Sequence, residues 1–81
     1  MPKPIIVYTT SWCGDCHRLA RQLKDRQLDF EERDIERSPE DYRVMMGHTG
    51  GKRVIPTVDI GGKILINPRF SQVLETLGLS A

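Results

Sequence analysis

The stretch that decides the fold lies near the amino terminus and reads Ile5-Ile6-Val7-Tyr8-Thr9-Thr10-Ser11-Trp12-Cys13-Gly14-Asp15-Cys16. Its first four residues are β-branched or aromatic, which is typical of a buried strand. A short turn follows, and after it the apolar residues recur at helical spacing, at Leu19, Ala20 and Leu23. Both cysteines therefore lie where the first strand passes into the first helix.

This pair of cysteines, Cys13 and Cys16, has the spacing of a redox dithiol. Two cysteines placed at random in a chain of this length would have that spacing roughly 2% of the time. The stronger indication of redox chemistry is the position of the pair at the start of a helix. A helix start presents unpaired N–H groups and a partial positive charge, and both favour a thiolate. We predict that Cys13, just before the helix, attacks a disulfide and that the better shielded Cys16 resolves the product. The carboxylate of Asp15 opposes ionisation of Cys13 but does not outweigh the helix end.

The middle of the chain predicts a strand and a helix. Leu28 to Ile35 is a strand candidate whose charged residues suit a sheet edge. Ser38 and Pro39 open a helix, because serine caps a free N–H group and proline fits the first helical position. The run from Gly47 to Gly51 ends that helix.

The last third predicts a hairpin and a closing helix. Val54 to Val58 begins a third strand, and Gly61-Gly62 forms the turn to a fourth. Asn67-Pro68 resembles a cap followed by a helix start, and Gly78 closes that helix. The element order is βαβαββα, which predicts an α/β fold with a four-stranded mixed sheet flanked by helices.

Length and composition limit the classes of function. The chain has 81 residues, which fits a single domain over residues 1–81, and its net charge is +1. A charge so close to zero argues against nucleic-acid binding, and no apolar run is long enough for a secretory signal or a membrane span. We therefore expect a cytoplasmic monomer that binds neither nucleic acid nor membranes.

Two alternatives to redox chemistry remain for the cysteines. A disulfide across so short a loop would stabilise the fold by only about 2 kcal/mol, and cytosolic thiols are usually kept reduced. Zinc held by Cys13, Cys16, His17 and His48 is the second alternative, but finger-type sites pair their histidines closely and these two are far apart. Redox chemistry is the better reading, and we predict no metal site.

Two motifs resemble the glutaredoxin family, and with the element order they cover nearly the whole chain. The first is the segment from Tyr8 to Cys16, and the second is Thr49-Gly50-Gly51-Lys52-Arg53-Val54-Ile55-Pro56-Thr57-Val58. The resemblance implies a thioredoxin-like fold and a cis bond before Pro56. A cis-proline would turn the main chain of Ile55 outward, where it can pair with a substrate chain beside Cys13.

The segment after the last hairpin indicates which subgroup of the family this chain resembles. Glutathione-using glutaredoxins have a Gly-Gly-x-Asp segment after the last hairpin, whereas this chain has Asn67-Pro68, which is similar to mycoredoxins. Asn67 is therefore a candidate for thiol binding. Two further candidates come from the residues themselves, namely Trp12 as a flat contact surface beside the nucleophile and Arg53 as a partner for a carboxylate.

The resemblance implies an enzyme, a thiol–disulfide oxidoreductase that reduces mixed disulfides between proteins and a low-molecular-weight thiol. Mycothiol, bacillithiol or glutathione would serve as co-substrate, with no tightly bound cofactor, and a thiol–disulfide reductase is a further candidate partner. Two alternatives stay open. One is a dithiol electron donor to a reductase such as ribonucleotide reductase, and the other is a glutaredoxin that binds an iron–sulfur cluster.

Overall fold

The computed structural model describes residues 3–79 and contains the predicted elements in the predicted order. The bounds are β1 (Ile5–Thr9), α1 (Gly14–Asp25), β2 (Glu31–Asp34), α2 (Pro39–Thr49), β3 (Thr57–Ile60), β4 (Lys63–Ile66) and α3 (Phe70–Thr76). Residues 1, 2, 80 and 81 lie outside this description, so the single domain over residues 1–81 stays a prediction. Among residues 3–79, no helix has the length and apolar character needed to cross a membrane.

The four strands form one mixed sheet in the order β2-β1-β3-β4. Strand β1 pairs in parallel with β2, and Tyr8 is opposite Arg33. The pairs β1–β3 and β3–β4 are antiparallel. Because β1 and β2 run in the same direction, their carboxyl ends meet at one edge of the sheet, and the loops that follow them are neighbours.

The core lies on both faces of the sheet. Alternate residues of a strand point to opposite faces, so Ile5 and Val7 face one side while Ile6 and Tyr8 face the other. The first face packs against α1 and α3 in a buried apolar cluster of Ile5, Val7, Leu19, Leu23, Val58, Ile60 and Val73. The second face packs against α2 through Tyr8, Ile35 and Met45. The helices therefore flank the sheet, as the predicted fold class requires.

Local signals at α2 and at the hairpin act as predicted. Ser38 caps α2, and its Oγ accepts a hydrogen bond from the N–H of Asp41 at 3.2 Å. Gly50 ends the helix with a φ of 71°, in the left-handed region that favours glycine. In the hairpin, the N–H of Gly62 donates to Oδ1 of Asp59 at 2.8 Å.

Two predicted strands are longer in the sequence pattern than in the structure. Strand β2 begins at Glu31, the first residue paired with β1, because the N–H of Leu28 donates to the carbonyl oxygen of Leu23 at 3.0 Å and keeps Leu28 in the turn after α1. Strand β3 begins at Thr57, whose Oγ1 donates to the carbonyl oxygen of Val54 at 2.7 Å and holds that segment in a turn.

The predicted start of the last helix is wrong by two residues. Asn67 is not the cap; Arg69 is, and its N–H donates to Oε1 of Gln72 at 2.7 Å. The N–H of Asn67 donates to the carbonyl oxygen of Pro56 at 2.8 Å, which extends the β3–β4 pairing by one residue. Asn67 therefore belongs to the end of the hairpin, and its φ of 48° turns the chain towards α3.

Candidate active site

Cys13 is the cap residue of α1. Its backbone is extended, and its Sγ accepts a hydrogen bond from the N–H of Cys16 at 3.1 Å. That N–H group is one of the unpaired donors of a helix start, so a negative charge on Sγ meets a donor and the positive end of the helix dipole. The sulfur of Cys13 is therefore in the position of α1 that best stabilises a thiolate.

Cys16 is in a different environment, one turn into the helix. It is 2% exposed, and burial together with a hydrogen bond between its thiol and the side chain of Cys13 raises its pKa to about 12, although the hydroxyl of Thr9 opposes this rise. Both cysteines are free thiols in the structure. At neutral pH Cys16 therefore keeps its proton, which makes the two sulfurs chemically unequal.

Trp12 and Arg53 meet at a residue that the sequence analysis did not single out. The indole N–H of Trp12 donates to Oε1 of Glu36 at 2.8 Å, and Nη2 of Arg53 lies 3.4 Å from Oε2 of the same carboxylate. We call these three residues the Glu36 cluster. The indole stays 62% exposed beside Cys13, so it presents a flat surface to solvent rather than filling the core.

The second pair of predicted binding residues, Pro56 and Asn67, also lies together. The peptide bond between Ile55 and Pro56 is cis, as the resemblance implied. A cavity of about 410 Å³ is lined by Pro56 and Asn67, by Asp15 and Arg18 of α1, and by Arg69. The main-chain N–H and C=O of Ile55 form no hydrogen bond with any residue that the structure describes. The cavity offers charged side chains to a small ligand, and the main-chain groups of Ile55 precede Pro56, which is one of its lining residues.

The four proposed zinc ligands are not brought together. The ring Nε2 of His17 lies 2.7 Å from the carbonyl oxygen of Ser11, while Nε2 of His48 lies 4.0 Å from Oδ2 of Asp59. Within residues 3–79, no group of three or more His, Cys, Asp or Glu side chains could hold a metal ion. The arrangement of this part of the chain therefore does not fit a structural zinc site.

Comparison with known proteins agrees with this geometry. Residues 5–65 match the family model of the glutaredoxins. The chain belongs to the glutaredoxin family. The matched span includes both cysteines and the cis-proline, and it confirms the resemblance found in the two motifs. Glutaredoxins use glutathione-like thiols as co-substrates, and this glutaredoxin is a thiol–disulfide oxidoreductase.

Individual relatives and structures support the same assignment. A Mycobacterium tuberculosis protein that bears a glutaredoxin name is 37% identical over 74 residues, which cover 90% of this chain and 88% of the relative. The glutaredoxin-like protein NrdH-redoxin from Escherichia coli has a TM-score of 0.76 at 28% identity, with 89% of this chain and 92% of that chain covered. A mutant of the thioredoxin-like protein BC3987 has a TM-score of 0.81 at 22% identity, covering 94% and 96% of the two chains, and it confirms the fold.

Glu36 is the site residue that sequence reasoning missed in this glutaredoxin. It is 24 residues from Trp12 and 17 from Arg53 along the chain, so no local pattern connects the three residues. One feature of the sequence could have indicated that Glu36 lies near Trp12. Trp12 follows β1 and Glu36 follows β2, and the carboxyl ends of two paired parallel strands share one edge of a sheet.

Proposed function

We propose that this glutaredoxin reduces mixed disulfides between proteins and a low-molecular-weight thiol in the cytoplasm, with Cys13 as the nucleophile. The observation that carries the proposal is the position of Cys13 at the start of α1, where Sγ accepts the hydrogen bond from the N–H of Cys16. A sulfur held there faces an N–H donor and the positive end of the helix dipole, which both favour negative charge, and the thiolate is the form that attacks disulfides.

The first step exchanges one sulfur–sulfur bond for another. The Cys13 thiolate attacks the sulfur of the small thiol in the mixed disulfide, and the bond to the protein substrate breaks. A new disulfide joins Cys13 to the small thiol, while the protein cysteine leaves as a thiolate and takes up a proton from water. The substrate protein is thereby reduced, and Cys13 is oxidised.

Two routes return Cys13 to its reduced form. In the first, a second small thiol attacks as its thiolate, and a symmetrical small-thiol disulfide leaves together with the free Cys13 thiolate. In the second, Cys16 loses its proton and attacks Sγ of Cys13, which releases the small thiol and leaves a Cys13–Cys16 disulfide for an external reductase. The raised pKa of Cys16, about 12, favours the first route at neutral pH.

Binding of the mixed disulfide involves the residues around Cys13. The free main-chain groups of Ile55 pair with the substrate chain, as an added strand would. Trp12 provides a flat apolar contact, and Arg53 provides a cationic side chain. The small thiol binds between Arg53 and the cavity that Pro56 and Asn67 line. Because the segment at Asn67-Pro68 lacks the Gly-Gly-x-Asp pattern, we expect mycothiol or bacillithiol to be a better co-substrate than glutathione.

The experiment that tests this proposal is an assay of mixed-disulfide reduction with wild-type protein and two variants. Cys13→Ser should abolish activity, whereas Cys16→Ser should retain most of it when the small thiol is supplied. Mycothiol, bacillithiol and glutathione are then compared as reductants, and glutathione should be the poorest. If Cys13→Ser kept its activity, or if iodoacetamide modified Cys13 no faster than a free peptide thiol, the proposal would be wrong.

A second candidate is a dithiol electron donor to a reductase such as ribonucleotide reductase. The similarity to NrdH-redoxin, which has a thioredoxin-like activity profile, supports it. A donor of this kind transfers two electrons by closing the Cys13–Cys16 disulfide, so it needs Cys16 in every turnover. Complete loss of activity in Cys16→Ser, together with reduction of the oxidised protein by a thioredoxin reductase, would favour this candidate.

A further inference from the structure

The Glu36 cluster connects three loops around Cys13. Trp12 lies in the loop before α1, Arg53 lies in the loop before the cis-proline, and Glu36 lies between β2 and α2. Each oxygen of the Glu36 carboxylate has its own partner, the indole N–H at 2.8 Å and the guanidinium at 3.4 Å. One carboxylate therefore occupies two of the side chains that the sequence identifies as candidate substrate contacts.

The backbone holds Glu36 in this position. The N–H of the buried residue Ile35 donates to the carbonyl oxygen of Thr9 at 3.0 Å, and the N–H of Glu36 donates to Oδ1 of Asp34 at 2.9 Å. These bonds fix the turn after β2 against the carboxyl end of β1. The carboxylate of Glu36 is therefore presented to Trp12 by a supported turn rather than by a loose surface loop.

We propose that Glu36 masks the charge of Arg53 and thereby lowers the affinity of the site for thiols that carry a carboxylate. This inference rests on the function proposed above. A carboxylate that approaches Arg53 must replace Glu36 as its partner, so the gain from the new ion pair is offset by the loss of the old one. A thiol without a carboxylate can bind while the ion pair between Glu36 and Arg53 stays intact. Of two small thiols that are otherwise alike, the site favours the one without a free carboxylate near Arg53.

The expected size of the masking effect follows from the solvent exposure of the Arg53–Glu36 ion pair. The side chains of Arg53 and Glu36 are 47% and 44% exposed, so their ion pair is screened by water. Pairs of this kind change an equilibrium by about 1.5-fold to fivefold. Masking therefore lowers the affinity for a carboxylate-bearing thiol only a few-fold, and such a thiol still binds.

The test compares two substrates that differ in one charge. Mixed disulfides of one cysteine peptide with N-acetylcysteine and with N-acetylcysteine amide are reduced by wild-type protein and by Glu36→Gln. The glutamine keeps an oxygen for the indole N–H but no longer offsets Arg53. The ratio of kcat/KM for the acid over the amide should rise about 1.5-fold to fivefold in Glu36→Gln, through KM.

Two controls separate masking from a general effect of charge or folding. Glu75→Gln removes the same charge from α3 and should leave the ratio at its wild-type value. In the double variant with Arg53→Gln, the rise caused by Glu36→Gln should disappear. The fluorescence of Trp12, which is the only tryptophan of the chain, reports whether the indole keeps its environment in each variant.

A second variant tests the inference without changing Glu36. If the charge of Arg53 is masked, Arg53→Gln alone should lower the acid-to-amide ratio by less than about twofold. A fall larger than this, or an unchanged ratio in folded Glu36→Gln, overturns the inference while the proposed function stands. A wild-type protein that reduces neither disulfide overturns the proposed function itself.

Discussion

The main-chain N–H of Cys16 donates a hydrogen bond to Sγ of Cys13 over 3.1 Å. This bond assigns different roles to two identical side chains. The donor stabilises negative charge on Cys13, while the thiol of Cys16 is buried and its pKa is raised to about 12. The same turn of helix thus presents the proposed nucleophile and, beneath it, a thiol that can react only after losing its proton.

The raised pKa of Cys16 predicts a loss of stability at alkaline pH. The unfolded chain releases this proton near the ordinary value of 9.0, whereas the folded chain keeps it until about pH 12. The contribution of Cys16 to the free energy of unfolding is therefore fully present below pH 9, and it is lost as the pH rises above that value. Between pH 9 and pH 10, the free energy of unfolding should fall by about 1 kcal/mol because of this group.

Urea unfolding of the reduced protein at several pH values measures this loss. Cys16→Ala provides the reference, since it keeps every other titrating group of the chain. The wild-type curve should fall more steeply with pH than the curve of the variant. Parallel curves would mean that Cys16 titrates alike in the folded and unfolded states.

Thr9→Val should slow closure of the Cys13–Cys16 disulfide. The Thr9 hydroxyl lowers the pKa of Cys16, so its loss raises that pKa further and reduces the fraction of Cys16 thiolate. Release of a small thiol from its mixed disulfide with Cys13 should become about twofold to tenfold slower. The matched control is Thr10→Val, because Oγ1 of Thr10 is buried without a hydrogen-bond partner among the described residues. Equal rates in the two variants would contradict the role of Thr9.

Asp15→Asn should make Cys13 more reactive and the fold slightly less stable. The carboxylate opposes a thiolate nearby, so alkylation of Cys13 by iodoacetamide should become about 1.5-fold to fivefold faster, and less so in high salt. The same carboxylate stabilises the start of α1 and pairs with Arg18 at 3.3 Å, so its loss should cost about 0.5 kcal/mol. Asp25→Asn, at the other end of α1, should not change the alkylation rate and should not destabilise the helix. An acceleration in both variants would mean that net charge alone controls Cys13.

Leu23→Ala should destabilise the protein severely. Leu23 is fully buried in the cluster that joins α1 and α3 to the sheet, and truncation of such a leucine costs about 2–5 kcal/mol. Leu79→Ala makes the same change at a residue that is 40% exposed and should cost less than about 0.5 kcal/mol. Denaturant midpoints of the two variants provide the measurement, and similar midpoints would show that the cluster is not the main source of stability.

The elements that the sequence predicted well carry local signals. The run Ile5 to Tyr8 alternates between two buried faces, and Ser38 with Pro39 starts α2 as such pairs do elsewhere. The wrong boundary at Asn67 has a tertiary cause. An Asn-Pro pair has the chemistry of a helix start, but the hydrogen bond from Asn67 to Pro56 draws that residue into the hairpin instead. Local propensity gave way to a strand contact that no short window of sequence contains.

Part of the candidate site was likewise predicted from local signals, and part of it depends on tertiary contacts. The roles proposed for Cys13 and Cys16 follow from their spacing and from the helix start, which are visible in the chain itself. Glu36 was missed because its importance depends on the parallel pairing of β1 with β2, and pairing is a property of the folded sheet. The partners of Trp12 and Arg53 are therefore known only once the strands have been placed.

A Cys13–Cys16 disulfide would close a ring of only a few residues at one end of α1, and that ring would contain none of the apolar side chains of the two core clusters. Making or breaking that ring does not tie distant parts of the backbone to each other. The rest of the fold would therefore stay the same in the reduced and the oxidised protein, and repeated oxidation and reduction would not require refolding.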